Sequence, residues 1–353
     1  MFLLVYVHAY NLNESYLQPY TQPNEPLTFT SFIEYFLANG IFRFRIPMLF
    51  IISGYLFAFG DTVIHKKRIG KRVKSLLYPY LFWSAFGLVI TYILEMFDYT
   101  KSIVAATSMA QIDDTRNLIH QHLWYEILVR WIFFPLSYQL WFIRVLLIYN
   151  LAYPAIKWCI LNPKAKYVFY TIVTLLWLSS TGFFLFEGEG LLFFSIGIWM
   201  QKTNFNVNVP SKKLNPVVWA IIFLIIAIVK TIIAFKLHFN GVFPILLLLH
   251  KLTIFSGLIT AWFGCNSLVK YAIKQQWFIS LTSYSFIIYV LHAPLVVYLT
   301  KMALLNFNVY RNYRLIIFII MPLLLVVLSI FTGYILKTFL PKIYLFLTGG
   351  RGV

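Results

Sequence analysis

The stretch VVWAIIFLIIAIVKTIIAF, residues Val217 to Phe235, decides the fold class of this chain. Its length is close to the roughly 20 residues that a helix needs to cross about 30 Å of hydrocarbon, at about 1.5 Å per residue. The whole chain has the same character, because 61% of its 353 residues are apolar, 11% are charged and the mean hydropathy is +0.78. Such a composition excludes a soluble globular protein and predicts an all-α membrane protein.

Further apolar segments lie on both sides of this run. They are Ile41–Gly60, Leu76–Phe97, Tyr138–Trp158, Tyr167–Phe186, Gly190–Gln201, Val242–Phe263, Ile279–Thr300 and Leu315–Lys337. Together with Met1–Tyr10 they predict a polytopic protein of about ten transmembrane helices, a single integral-membrane domain over residues 1–353 without a soluble domain. We predict that the segment Leu123–Pro135, which carries Glu126 and Arg130, lies at the membrane interface or re-enters the membrane.

The first apolar segment, MFLLVYVHAY, is short for a membrane span. As a helix it would extend only about 15 Å, half of the bilayer thickness. We expect it either to be re-entrant or to be preceded in the genomic reading frame by further, mainly apolar residues.

The chain is strongly basic, with 29 Lys and Arg against 11 Asp and Glu and a net charge of +18. In a chain of apolar runs this excess indicates membrane topology, whereas nucleic-acid binding needs basic side chains spread over a solvated face. When the predicted loops are assigned to alternate sides, one side collects the basic clusters, at Lys66–Lys74, Lys157–Lys166, Lys202–Lys213, Lys270–Lys274 and Lys337–Arg351. The positive-inside rule then places both termini in the cytoplasm.

Several kinds of functional site are not predicted. Two cysteines, Cys159 and Cys265, are too few for a disulfide scaffold or a cysteine-rich metal site. The sequence has no Walker motif, no dinucleotide-binding glycine motif and no cluster of His, Asp and Glu with metal-ligand spacing. We therefore predict no metal site and no permanently bound cofactor.

Charged and imidazole side chains within the predicted spans are the candidate functional residues, because a charge at mid-bilayer costs about 2.5 to 3.5 kcal/mol. They are His8, Arg43, Arg45, Arg144, Lys230, Lys251 and His292. Arg43 and Arg45 either snorkel to the outer interface or face a polar cavity. A polar cavity is the favoured environment for Arg144, and a structural role is favoured for Lys230 and Lys251.

The two histidines differ in their local sequence. An imidazole is the side chain best suited to general-base chemistry near neutral pH, so His8 is a candidate base, although a lone histidine on an apolar helix more often packs as an interhelical donor. His292, in SYSFIIYVLHAP, precedes Pro294 by two residues. Because proline frees a backbone carbonyl one turn earlier, a structural role is favoured for His292.

The basic stretch HKKRIGKRVK, residues 65–74, has two interpretations. By default it is a topology determinant. Alternatively it is a cytoplasmic anion site, because Arg68 and Arg72 lie four residues apart on one helix face and would together clamp phosphate groups.

Small residues inside one span predict close helix packing. Ser53 and Gly54 would allow two helix backbones to approach each other, which is the usual reason for small residues in membrane spans. A minor alternative is that the Ser53 hydroxyl contacts a substrate.

Several stretches, in their order and spacing, resemble the acyltransferase 3 family of multi-pass membrane enzymes. They are LLVYVHAYN, FRFRIPMLFIISGYLF, KKRIGKRVKSLLYPYLFW, LWFIRVLLIYNLAYP, LLFFSIGIWM and SYSFIIYVLHAPLV. The resemblance spans most of the chain. It implies an enzyme of the bacterial plasma membrane that transfers an acyl group, mostly acetyl, from a cytoplasmic acyl-CoA such as acetyl-CoA. The acceptor would be a hydroxyl of a cell-surface polysaccharide or of its lipid-linked precursor.

The resemblance also implies residue roles. His8 matches the catalytic histidine of the family, whereas the arginine that precedes this histidine in the family has no counterpart after Met1. Arg68 and Arg72, with Lys67, match the cytoplasmic basic motif that is associated with the acyl donor. Lysine binds phosphate as a point charge, without the two-pronged contact of arginine. The acidic partner of the family's histidine has no assigned counterpart in this sequence.

Acyl transfer to a hydroxyl needs a base, donors that stabilise an oxyanion, and a thiolate leaving group. His8 would be the base, and Arg144 with Arg45 or Arg43 would stabilise the oxyanion or a donor phosphate. Two rival interpretations stay open. The chain would otherwise be a transporter or flippase for an anionic glycolipid or a small acyl compound, or a membrane protein whose polar residues only pack helices.

Overall fold

The computed structural model describes residues 1–9, 18–182, 186–239, 241–308 and 313–352. Within these ranges the chain is helical, and extended pairing is limited to the isolated bridges Asp113–Arg116 and Gly182–Glu187. The predicted all-α fold is confirmed.

The first half of the chain forms helices α1 to α8. They are α1 (Phe2–Val7), α2 (Phe29–Tyr35), α3 (Arg45–Phe59), α4 (His65–Arg72), α5 (Tyr78–Leu94), α6 (Asp98–Thr107), α7 (Trp124–Ile132) and α8 (Trp141–Leu161). A π-helical turn at Phe36–Gly40 and a 3₁₀ turn at Ile41–Phe44 join α2 to α3, and a π-helical turn at Val73–Leu77 joins α4 to α5. Single 3₁₀ turns at Ile119–Gln121 and Tyr138–Leu140 precede α7 and α8.

The second half forms helices α9 to α17. They are α9 (Ala165–Leu178), α10 (Gly188–Lys202), α11 (Pro216–Lys236), α12 (Val242–Gly264), α13 (Asn266–Ala272), α14 (Gln276–Ser283), α15 (Ser285–Phe307), α16 (Tyr313–Phe339) and α17 (Pro341–Thr348). A 3₁₀ turn at Lys212–Leu214 precedes α11, which begins with Pro216 at its first position, where proline lacks only an N–H that would be unpaired anyway.

In the described part of the chain, seven helical segments are long and apolar enough to cross a membrane. They are Phe29–Phe59, His65–Leu94, Tyr138–Leu161, Pro216–Lys236, Val242–Gly264, Ser285–Phe307 and Tyr313–Phe339. The chain is therefore a multi-pass membrane protein. The predicted count of about ten spans is not confirmed, because α1, α9 and α10 have 6, 14 and 15 residues and are shorter than a full span requires.

The helices present apolar side chains outward and bury polar ones. Val217 on α11 and Val327 and Phe331 on α16 are each at least 60% exposed, whereas Lys230 and His292 are completely buried. This is the distribution that a hydrocarbon solvent selects, because a polar group facing lipid has no hydrogen-bond partner there.

Helices α3 and α10 cross so closely that glycine is required on both. A Cβ atom on Gly54 would lie 2.1 Å from the carbonyl oxygen of Phe194, and a Cβ atom on Gly197 would lie 2.1 Å from that of Ile51. Backbone of one helix therefore occupies the place where a side chain of the other would begin. The close approach predicted from Ser53 and Gly54 is confirmed.

Helix α15 is bent at Ala293, whose φ of −121° and ψ of 137° are not helical, directly before Pro294. Because proline has no N–H, the carbonyl of Val290 has no helical partner. Gln139 supplies one, since its Nε2 donates to the Val290 oxygen at 3.0 Å and to the Ala293 oxygen at 2.7 Å. The predicted freed carbonyl is thus found, but its partner is Gln139, whereas His292 bonds another carbonyl of its own helix.

The predicted interfacial segment Leu123–Pro135 contains helix α7. Its Trp124 is 73% exposed. Arg116 of the preceding loop binds Glu126 on α7 at 2.8 Å, and this ion pair ties the loop to the helix. A second ion pair, Arg116–Asp113 at 2.7 Å, lies within the loop. The position of this segment at the membrane interface stays a prediction.

Reporter fusions test the orientation in the membrane. We expect fusions at Lys71 and Lys212 to report the cytoplasm and a fusion at Arg116 to report the exterior, because basic clusters are retained on the cytoplasmic side. Each site should carry in turn a reporter that is active only inside and one that is active only outside. A fusion that reports the opposite side would contradict the predicted topology.

Candidate active site

A polar cavity of about 340 Å³ lies among α1, α3, α10, α12 and α15. Its charged and imidazole lining side chains are His8, Arg43, Arg45, Glu187, Glu189, His250 and Lys251. Neutral lining side chains include Tyr20, Gln139, Trp141, Trp177 and Tyr289. Because charged groups are costly at membrane depth, a cavity that gathers so many of them is the leading candidate for a functional site. We call it the outer cavity, after the side of the membrane on which the predicted topology would place it.

His8 follows the last residue of α1 and lines the outer cavity. Its ring packs edge-on against Tyr138, with 4.7 Å between the ring centres, and lies nearly parallel to His292 at 5.4 Å. These two contacts hold the plane of the imidazole, while the cavity gives a ligand access to it. A general base needs both properties.

His292 is buried beside His8, on the bent helix α15. Its Nδ1 lies 2.6 Å from the carbonyl oxygen of Tyr289. A carbonyl only accepts hydrogen bonds, so Nδ1 carries the proton and Nε2 carries the lone pair. The backbone of α15 thus fixes the tautomer of the imidazole next to His8, which agrees with the predicted structural role of His292.

Arg43 and Arg45 line the outer cavity because the helix is irregular where they lie. Residues two apart on a regular helix point in different directions. Arg43, however, lies in the 3₁₀ turn Ile41–Phe44, which separates a π-helical turn from α3, and Arg45 is the first residue of α3, so both side chains can line one cavity. Arg43 donates to Oδ1 of Asn39, and Arg45 donates to the carbonyl of Phe42. The sequence left two environments open for Arg43 and Arg45, the outer interface and a polar cavity. The structure places both residues in the lining of a cavity.

Two carboxylates enter the cavity at the start of α10. Glu187 precedes the helix and its Oε2 accepts the backbone N–H of Gly190 at 2.9 Å, while Glu189 accepts the indole N–H of Trp177 at 3.2 Å. A Cβ atom on Gly188 would lie 2.6 Å from the backbone of Leu176. The glycine therefore lets α9 and α10 meet closely and brings both carboxylates to the cavity.

Lys251 on α12 faces these carboxylates. Its Nζ lies 5.4 Å from the centre of the Trp177 ring, and it is within electrostatic range of Glu189 and Glu187. Lys251 therefore lies in the cavity wall, a position that was not expected from the structural role favoured for it. Both glutamates were also absent from the sequence-based candidates.

Lys230 on α11 supports the cavity wall from outside it. Its Nζ donates to the backbone oxygen of Asn39 at 2.6 Å and lies 3.5 Å from Nδ1 of His250. The side chain of Asn39 in turn accepts the hydrogen bond from Arg43. These contacts agree with the structural role predicted for Lys230, because it helps to position two lining residues.

Arg144 is the predicted catalytic residue that the structure does not bring to the outer cavity. Within the described residues, the lining of that cavity includes Trp141 but not Arg144. Arg144 donates to the carbonyl of Phe133 and is hydrogen-bonded with Tyr80. These contacts tie α8 to α5 and to the segment after α7, and they give no support to a catalytic role.

A second cavity, of about 280 Å³, opens on the side of the basic stretch. Arg72 and Arg351 line it together with Asn150, and we call it the inner cavity. Tyr289 lines both the inner and the outer cavity, and its hydroxyl donates to the backbone oxygen of Gln139 at 2.5 Å. The two cavities therefore share one buried side chain as a wall.

Comparison with known protein families shows to which family the chain belongs. The model of the acyltransferase 3 family, described as an acyltransferase domain, matches residues 1–338. The chain belongs to this family. The resemblance predicted from the sequence is confirmed, and the matched region of this acyltransferase-family protein contains every residue of the outer cavity.

A curated relative is the succinoglycan biosynthesis protein ExoH of Rhizobium meliloti (strain 1021), 28% identical over 244 residues. The alignment covers 67% of this acyltransferase-family chain and 60% of the relative, so the chain spans less than two thirds of the relative's length. No solved structure matches the chain.

The acyltransferase-family chain also has an ion cluster beside the basic stretch, centred on Asp61. Its carboxylate lies 2.8 Å from Arg68, 2.7 Å from Lys157 and 2.6 Å from Lys202. The hydroxyl of Tyr153 donates to it at 2.7 Å. Burial alone would raise the pKa of Asp61, but these hydrogen bonds hold it well below its usual range. One carboxylate thus ties α4, α8 and α10 together.

The predicted donor-binding residues lie in different environments. Arg68 and Arg72 share a helix face, with their guanidinium carbons 3.8 and 5.4 Å from the centre of the Phe57 ring. Arg68 is buried against Asp61, whereas Arg72 lines the inner cavity and Lys67 is exposed. Donor binding by these residues stays a prediction. Arg68 lines a separate cavity beside Asp61 and Tyr153, whereas Arg72 lines the inner cavity, which shares Tyr289 with the outer one.

The available side chains suit proton transfer, charge stabilisation and hydroxyl binding. Among the residues that the structure describes, no group of three or more His, Cys, Asp and Glu side chains could hold a metal ion. The outer cavity instead offers an imidazole, guanidinium and ammonium groups, and carboxylates.

We expect Asp61→Asn to lower the free energy of unfolding by about 1.5 to 3 kcal/mol, because three cations lose their shared carboxylate. The folded-state pKa of Asp61 is lowered, so its contribution is present above the ordinary carboxyl pKa of about 3.9 and is lost as the pH falls below it. Thermal unfolding in detergent at several pH values measures this difference between wild type and variant.

The exposed Asp114 supplies the matched control, and Asp114→Asn should leave the unfolding temperature unchanged. The Asp61→Asn deficit should stay constant above about pH 5 and shrink on acidification. A deficit that is absent, or that grows on acidification, would contradict the assigned role of Asp61.

Proposed function

We propose that this protein transfers an acyl group, acetyl in the simplest case, from a cytoplasmic acyl-CoA to a hydroxyl of a cell-surface polysaccharide or of its lipid-linked precursor. The observation that carries the proposal is the pair of cavities that meet at Tyr289. Membership of the acyltransferase family and the relative named for succinoglycan biosynthesis support the reaction class and the kind of acceptor.

The inner cavity suits the anionic end of the donor. Arg72 and Arg351 both line it, and guanidinium groups bind phosphate through parallel hydrogen bonds. Arg351 is held in place by donating to the backbone oxygens of Ser75 and Thr348, at 2.8 and 3.0 Å. Arg68 and Lys67 would add positive potential at the entrance.

The outer cavity suits the acceptor. Glu187 and Glu189 offer carboxylate oxygens to sugar hydroxyl groups, and the rings of Trp141 and Trp177 offer apolar faces. Such a mixture of carboxylates and aromatic rings fits a molecule with many hydroxyl groups.

In the proposed reaction His8 takes the proton of the acceptor hydroxyl while the oxygen attacks the thioester carbonyl carbon. Arg45 and Arg43 stabilise the oxyanion that forms on the carbonyl oxygen. The intermediate collapses with cleavage of the carbon–sulfur bond, and the CoA thiolate leaves and receives the proton from His8. The products are an ester and free CoA.

Replacing Arg72 with glutamine tests donor binding. Loss of a charged hydrogen bond should raise the KM for acetyl-CoA about tenfold or more, with less effect at high ionic strength because charge interactions are screened. Lys74→Gln, an exposed residue of the same basic stretch, is the matched control and should leave this KM unchanged. An unchanged donor KM in Arg72→Gln would contradict donor binding in the inner cavity.

A further inference from the structure

The side chain of Gln139 is held in the wall of the candidate site. Gln139 is 3% exposed and is the middle residue of the 3₁₀ turn Tyr138–Leu140 that leads into α8, next to Tyr138, which packs on His8. Its backbone oxygen accepts the hydroxyl hydrogen of Tyr289, the residue shared by both cavities. Gln139 is thus held by hydrogen bonds at both its backbone and its side chain.

The bend of α15 determines which way the amide of Gln139 points. Its neighbours there are the carbonyl oxygens of Val290 and Ala293, at 3.0 and 2.7 Å. Both are acceptors, so only the amide nitrogen can face them. The carbonyl oxygen Oε1 is therefore the polar atom that this side chain can offer to the cavity.

That oxygen has no hydrogen-bond partner among the described residues. A buried acceptor left unsatisfied costs about 1 to 3 kcal/mol, which a ligand carrying a donor would recover. The carboxylates of Glu187 and Glu189 each accept one hydrogen bond, from Gly190 and Trp177, and keep further lone pairs for a ligand. Gln139 is thus a neutral, oriented acceptor in a cavity whose lining also includes charged side chains.

We propose that Oε1 of Gln139 accepts a hydrogen bond from a hydroxyl group of the sugar acceptor and so orients that sugar toward His8. This inference rests on the proposed function. A thioester carbonyl and a phosphate oxygen are acceptors and cannot bind Oε1, whereas a sugar hydroxyl donates. The pantetheine amide N–H of the acyl donor is the other possible source of this hydrogen bond, and the experiment separates the two.

The proposal makes Gln139 a specificity determinant. A site that hydrogen-bonds one hydroxyl discriminates strongly against the analogue that lacks it, because its own acceptor is then left unpaired. One position on the sugar should therefore matter for binding more than its neighbours.

Saturation-transfer NMR on the purified full chain tests this without any acyl donor. The probes are methyl β-D-glucopyranoside, methyl β-D-galactopyranoside and their monodeoxy analogues. We expect one deoxy position to weaken binding to the wild type about tenfold or more. Gln139→Met should bind the parent glycoside as weakly as the wild type binds that analogue, and should show no further loss with the analogue.

Two controls separate this role from a structural one. Gln139→Lys keeps donors for the Val290 and Ala293 carbonyls but has no acceptor, so it should preserve thermal stability better than Gln139→Met and still lack the deoxy discrimination. Gln201, whose Oε1 also has no partner among the described residues but which lies outside the cavity lining, gives the matched variant Gln201→Met. It should bind the glycosides like the wild type.

The proposal is overturned if the wild type binds neither glycoside, if it binds all deoxy analogues equally, or if Gln139→Lys retains the discrimination. A loss of acetyl-CoA binding in Gln139→Met, with glycoside binding intact, would assign Oε1 to the donor and overturn it as well. Glycoside binding with this discrimination but without any acyl transfer would instead contradict the proposed function alone.

Discussion

Replacing His8 with alanine or glutamine is expected to lower acyl transfer by about 10²- to 10⁴-fold, the usual contribution of a general base, with membrane insertion unchanged. The imidazole is held between the rings of Tyr138 and His292 and lines the outer cavity. Glutamine keeps a hydrogen-bonding side chain but cannot accept a proton near neutral pH. The measurement is the initial rate of ester formation with saturating acetyl-CoA.

The matched control for this prediction is His65, which stacks on Tyr153 at the opposite, basic side of the protein. His65→Gln should retain most of the activity. If His8→Gln also retains most of the activity, His8 is a packing residue and the base must be sought elsewhere in the cavity, with His250 as the first candidate.

Valine at Gly54 or at Gly197 is expected to prevent assembly of the protein, the largest effect on stability that we predict. Each new Cβ atom would lie 2.1 Å from a backbone oxygen of the facing helix, far inside any contact distance. Because backbone cannot move away as a flexible side chain can, α3 and α10 would have to separate. That separation would move Arg45 on α3 away from Glu189 on α10.

Size-exclusion chromatography in mild detergent measures this effect as the yield of monodisperse protein. Gly70→Ala is the control, because a Cβ atom at Gly70 would meet nothing within 4 Å. A normal yield of folded Gly197→Val would contradict the close crossing of α3 and α10.

The fold class followed from the sequence because the membrane imposes a simple rule. Runs such as Val217–Phe235 must become helices, since no other open structure satisfies the backbone in hydrocarbon. The number of spans was harder to predict, because α9 and α10 are apolar but shorter than the bilayer, and length alone does not show how such helices sit in it.

The site was only partly predictable. His8 and Arg45 could be found because an ionisable group in an apolar run is conspicuous. Glu187 and Glu189 were missed because they follow an apolar run and so read as loop residues, while only the packing of α10 against α9 and α3 brings them to the cavity. Gln139 carries no charge, and nothing in the surrounding sequence marked it as a candidate site residue.

For Arg144 the prediction failed in the other direction, because it assigned this residue to a polar cavity whose lining does not include it. Its place inside a predicted span favoured a polar cavity, but a helix has several faces, and the one that bears Arg144 meets Phe133 and Tyr80. Sequence spacing gives the face of a helix but not the neighbour that the face will meet. The same limit applies to Arg68, whose partner Asp61 became evident only in the fold.

The central claim is that an acyl group from cytoplasmic acyl-CoA reaches an acceptor bound in the outer cavity. Inside-out membrane vesicles test it most directly, because they present the cytoplasmic face to the medium and CoA does not cross the bilayer. De-esterified oligosaccharides of a bacterial surface polysaccharide are sealed in the lumen and radiolabelled acetyl-CoA is added outside. We predict labelled, esterified sugar in the lumen of wild-type vesicles and none with His8→Gln. The claim is contradicted if only sugar on the acetyl-CoA side becomes labelled, or if unlabelled sugar crosses the membrane without esterification, as a transporter would allow.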